Sequence, residues 1–79
     1  MNATQPKPMS RETLRDALTH LAARSGLYFD EPVRFRYDSL KGVGYAIVTD
    51  HVGDEHINRF TIDETGLVEF RSMRYRPTF

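Results

Sequence analysis

The sequence predicts an α+β fold of two layers, one N-terminal helix packed on a four-stranded antiparallel meander. Three observations carry this. A single stretch of helical period comes first, near residues 10–26. Four stretches rich in β-branched and aromatic residues follow it, two of them strictly alternating. Short turns of Gly, Asp and Pro join them, which favours antiparallel neighbours. The chain has 79 residues, the length of one small domain with a thin core.

Each element has its own warrant. Residues 1–9 hold Pro6 and Pro8 and few apolar anchors, so they read as an extended arm before a domain of residues 10–79. Ser10 is placed as an N-cap, with Glu12 in the first turn facing the positive end of the helix dipole. Leu14, Ala17, Leu18, Leu21 and Ala22 form one apolar stripe, with Arg11, Arg15 and Arg24 on the opposite face. Ser25-Gly26 ends the helix, since glycine takes the left-handed C′ position without a Cβ clash. The expected span is 11–24. Leu27, Tyr28 and Phe29 are expected to fold back on the core.

"VRFRY" (33–37) alternates, with Val33, Phe35 and Tyr37 on one side and Arg34 and Arg36 on the other. "DSLKG" is a turn. "VGYAIVTD" (43–50) is the most apolar stretch and reads as a central strand. Either parity is open to it, because both its faces are apolar or small. "HINRFTID" (56–63) alternates again, "DETG" is a hairpin turn, and "LVEFRSMRYR" (67–76) reads as one last strand stopped by Pro77. The expected core sets the helix leucines against Val33, Phe35, Tyr37, Tyr45, Ile47, Phe60, Ile62, Val68 and Phe70.

Composition narrows the function classes. Eleven basic residues balance eleven acidic ones, so coating nucleic acid with the whole surface is not expected. The balance is local, however. Residues 38–66 carry two basic and six acidic groups, and both ends carry a basic excess. There are no cysteines, hence no disulfides and no thiolate metal ligands, which fits a cytoplasmic protein. No apolar run reaches membrane-spanning length, and the first residues show no apolar signal region.

The densest cluster of ligand-type side chains is "TDHVGDEH" (49–56). His51 and His56 with Asp50 or Asp54 have the chemistry of a metal site, but the spacing matches no helical or EF-hand pattern. A polar hairpin built on Gly53-Asp54 accounts for it more simply. Ser10, Ser25, Ser39 and Ser72 lie in no nucleophile elbow. Asp16 and His20 read as a surface i, i+4 pair, nothing pairs Glu12 with Glu69, and "KGVGY" lacks the phosphate-loop pattern. No catalytic residue, metal site or cofactor is assigned, and the protein is read as non-enzymatic.

The arginines point to binding. If Val33, Phe35, Phe60, Val68 and Phe70 face the helix, then Arg34, Arg36, Arg59 and Arg71 share the open face around a centre of Gly44, Ala46 and Val48. Arg74, Tyr75 and Arg76 extend that basic character toward Phe79. These seven, Arg34, Arg36, Arg59, Arg71, Arg74, Tyr75 and Arg76, form the candidate partner surface. Arg and Tyr are frequent interface anchors, and the arginine fork suits carboxylate or phosphate.

A cysteine-free domain of this length, without a catalytic motif and with one helix on a small charged sheet, resembles the anti-CRISPR inhibitors of phages and other mobile elements. It resembles most those acting on multi-subunit type I surveillance complexes. The resemblance covers the whole chain in size and layout and carries over no residue. It implies a protein partner and inhibition by covering a surface the target uses to bind DNA. The neutral charge favours docking on protein over DNA mimicry. A nucleic-acid-associated module using the same arginines is the alternative, and a small metal-dependent enzyme a remoter one.

Overall fold

The computed structural model describes residues 5–26, 29 and 31–77. Among the described residues the fold is α+β, with one helix and a five-stranded antiparallel sheet. Helix α1 spans Arg11–Arg24, and the strands are β1 (Arg34–Asp38), β2 (Val43–Thr49), β3 (Glu55–Ile62), β4 (Val68–Phe70) and β5 (Met73–Tyr75). They lie in sequence order, β1-β2-β3-β4-β5. Leu27, Tyr28 and Phe79 lie outside the described residues. Phe29 is half-buried against the core and bridges to Asp50.

The helix begins and ends where capping chemistry demands. Ser10 is extended, and its Oγ accepts the Thr13 N–H at 3.1 Å, which satisfies one of the donors that a helix N-terminus leaves open. At the other end Gly26 takes a φ of 83°. Leu14, Ala17, Leu18, Leu21 and Ala22 are buried and meet Val33, Phe35, Ala46, Val48, Phe60, Ile62, Val68 and Phe70 in one core cluster.

Two expectations are corrected. The last strand is two strands, so the sheet has five rather than four. Phe70 pairs with Met73, leaving Arg71 and Ser72 as a two-residue turn with φ of 52° and 67°. Positive φ at both central positions is the type I′ signature, whose twist matches the flanking strands but which favours Asn-Gly. Arg-Ser gives no such signal in the sequence.

The second correction concerns the parity of β2. Gly44, Ala46 and Val48 face the helix and are buried, while Tyr45 is 52% exposed and Ile47 is half-buried. The expected core positions of Tyr45 and Ile47, and the expected outward Gly44, Ala46 and Val48, are therefore reversed. Volume explains it. Tyr37, Gly44 and Phe60 lie side by side on adjacent strands, and the Tyr37 and Phe60 rings stack at 5.8 Å. A Cβ on Gly44 would stand 2.5 Å from the Phe60 ring and 2.3 Å from the Arg36 carbonyl oxygen. The rings need the space that glycine leaves, so the small side of β2 turns inward.

The arm lies against the end of the sheet. The Lys7 N–H donates to the Asp63 carbonyl at 3.0 Å, and the Pro6 ring packs where a Cβ on Gly42 would fall.

Two stability outcomes follow. Gly44→Ala forces ring and backbone apart and should cost about 1–3 kcal/mol, the usual penalty of overpacking, read as a lower midpoint in urea. Replacing Arg71-Ser72 by Asn-Gly removes the left-handed strain of two ordinary residues, roughly 1 kcal/mol each, and should raise the midpoint. An unchanged or lowered midpoint would show that the turn holds no such strain.

Candidate binding face and acidic hairpin loops

The sheet register builds the outer face row by row. Arg36, Tyr45 and Arg59 are cross-strand neighbours, and so are Arg34, Ile47 and Ile57. A third row runs Asp38, Val43, Thr61, Glu69, Arg74. Side chains directly opposite stand about 4.5–5.5 Å apart at Cβ, so Tyr45 is set between two guanidinium-bearing stems. Ile57 is 62% exposed. Exposed Tyr and Ile side by side, flanked by arginines, make an apolar centre with a cationic border.

The cations differ in availability. Arg34 donates to Glu55 at 2.6 Å, and Arg74 pairs more loosely with Glu69 at 3.4 Å. Such exposed pairs contribute little to stability, but they occupy the guanidinium. Among the described residues Arg36 and Arg59 have no ion-pair or hydrogen-bond partner. Their charges are open to a ligand.

The structure brings together only part of the seven-residue surface read from the sequence. Arg34, Arg36 and Arg59 share the face, with Arg74 at its far side. Arg71 leaves it, because its backbone turns the β4–β5 corner. Tyr75 faces the opposite layer, its ring 4.3 Å from that of His20 on α1. Arg76 donates to the Thr65 hydroxyl at 3.2 Å, beside the β3–β4 turn. Sequence reasoning missed Tyr45 and Ile47 as face residues, whereas alternation already set Ile57 beside Arg59 without assigning it to the surface. The signal was present in the bulk of Phe35, Tyr37 and Phe60, which demands small neighbours on the strand between them.

"TDHVGDEH" forms the β2–β3 hairpin. Asp50 organises it. Its Oδ1 accepts the N–H groups of Val52 and Asp54 at 3.0 and 2.9 Å, and its Oδ2 lies 2.9 Å from His56 Nε2. The His56 hydrogen bond, joined by the two backbone N–H donors, holds the Asp50 carboxyl below its ordinary pKa. Asp63 does the same work in the next hairpin. Its Oδ1 accepts from the Thr65 hydroxyl and from the N–H groups of Thr65 and Leu67, and the Thr65 hydroxyl leads in lowering its pKa. Both carboxylates are turn-forming acceptors. Among the described residues, no three of His, Asp and Glu gather as a metal would require. No helix of the described residues is long and apolar enough to cross a membrane.

Comparison with family models, with curated proteins and with solved structures yields no match.

The Asp50 shift has a testable sign. A carboxyl whose folded pKa lies below its unfolded value binds fewer protons when folded, so it stabilises above the unfolded value and loses that contribution as pH falls through the folded one. A carbon-detected titration should place the Asp50 midpoint below the ordinary range of an aspartate carboxyl. His56→Ala should move it upward. An Asp50 midpoint unmoved by that substitution would contradict the assigned cause.

Proposed function

We propose that this is a non-catalytic binding protein that docks the outer face of its sheet on a protein partner and inhibits by covering that surface. The observation that carries the reading is the Arg36–Tyr45–Arg59 row with Ile47 and Ile57 beside it. An exposed aromatic with apolar neighbours and two arginines unpaired among the described residues has the composition of an interface centre. Neighbouring apolar residues exposed together on a small domain call for a covering partner more than scattered ones do. The target class is the one the anti-CRISPR resemblance suggests, a type I surveillance complex whose DNA binding is blocked.

A second reading is favoured by the same tyrosine. An aromatic ring between two arginines is the arrangement on which single-stranded nucleic acid stacks. Asp38, Glu55 and Glu69 stand on the same face, however, and would repel a phosphate backbone. Protein is therefore the better fit.

Mobility shift of target DNA by a purified type I surveillance complex, with the protein added in increasing amounts, tests both. The protein should abolish the shift. Tyr45→Ala and the Arg36→Glu/Arg59→Glu double variant should each weaken inhibition at least roughly 30-fold, the effect of losing a hot spot of about 2 kcal/mol. Unimpaired inhibition by folded variants would overturn the face. Direct binding of a single-stranded oligonucleotide that weakens steeply with salt would favour the second reading.

A further inference from the structure

The face ends at β1, which among the described residues is an edge strand, with arm residues 5–9 beside its Tyr37 end. Among the described residues no backbone hydrogen bond joins residues 34–37 to any segment but β2. Every second N–H and C=O of an edge strand points away from the sheet, a template for another strand. The opposite edge, β5, has three residues and runs into Pro77, which has no N–H to offer.

Arginines flank β1 on both sides of the sheet. Arg34 and Arg36 project from its outer side. On its inner side the Arg11 guanidinium sits 4.5 Å and that of Arg15 5.8 Å from the centre of the Phe35 ring. Both come from α1, and both are exposed. Cation–π contact with Phe35 fixes their position and leaves their N–H groups to solvent. Four arginines thus bracket one edge strand from both layers. On the outer side Glu55 is paired with Arg34 and Asp38 Oδ1 accepts from Leu40 and Lys41, while Glu12 and Asp16 on α1 and Glu31 before β1 are the acidic neighbours in sequence.

We infer that β1 receives an acidic, extended segment of the protein partner, which adds antiparallel or parallel to the sheet as a sixth strand. Main-chain hydrogen bonds to residues 34–37 supply the pairing, and alternate carboxylates meet Arg36 on one side or Arg11 and Arg15 on the other, with Arg34 held by Glu55. The inference deepens the proposed function by naming the chemistry of the partner and its mode of attachment, and it rests on that reading.

The test uses the full chain, isotope-labelled, and an acetylated octapeptide of alternating glutamate and threonine. A lysine–threonine octapeptide and a glutamate–threonine octapeptide with alternate N-methylated bonds serve as controls. The acidic peptide should shift the amides of residues 34–37 and slow the exchange of the outward-pointing ones about tenfold at a peptide excess of ten times its Kd. Neither control should do so, and Arg11→Gln/Arg15→Gln should weaken binding of the acidic peptide. Equal binding of the N-methylated peptide would overturn strand addition and leave mere charge attraction. Shifts at Tyr45, Ile57 and Arg59 instead of residues 34–37 would overturn the edge and uphold the docking face. Protection of residues 34–37 by the acidic peptide in a protein that leaves the surveillance complex's DNA shift unchanged would uphold the edge and remove the proposed target. Concentration-dependent protection without peptide would assign the edge to a second copy and overturn the inference.

Discussion

The fold depends on a packing constraint at one glycine. Tyr37 and Phe60 lie on strands either side of β2, and their rings close over Gly44. No side chain fits beneath them. Because residues along a strand alternate between faces, fixing Gly44 inward also fixes Ala46 and Val48 inward and sends Tyr45 and Ile47 outward. Core and candidate interface are therefore two results of the same constraint. A thin core in a small domain gains from this arrangement, since two large rings and the leucines of α1 fill the interior that small β2 residues vacate.

Much of the fold was legible in the sequence because its signals are local. Ser10 and Gly26 bound the helix through hydrogen-bonding and backbone rules that need only neighbours. The alternation of "VRFRY" and "HINRFTID" set the correct faces for β1 and β3. Where both faces were apolar or small, as in "VGYAIVTD", alternation was silent and cross-strand volume decided. Arg71-Ser72 failed for the opposite reason. The turn adopts a backbone conformation that its residue types disfavour, and the β4–β5 pairing enforces it.

The candidate site was half visible. Arg34, Arg36 and Arg59 follow from alternation alone. Tyr45 and Ile57 become its centre only once β2 parity and β2–β3 register are known. Arg11 and Arg15 join β1 through a tertiary contact with Phe35, which no period in the sequence encodes. The histidine-rich hairpin looked richest in chemistry, yet Asp50 spends its oxygens on Val52, Asp54 and His56. Polar side chains whose acceptors are already filled by their own turn have little left for a ligand.

Parity of β2 can be measured without any partner. In a nuclear Overhauser experiment on the labelled protein, the Gly44 α-protons should show cross-peaks to the Tyr37 and Phe60 rings, and the Tyr45 ring to the side chains of Arg36 and Arg59. Cross-peaks from the Tyr45 ring to Leu14, Leu18 or Phe60 would place it in the core and contradict the account.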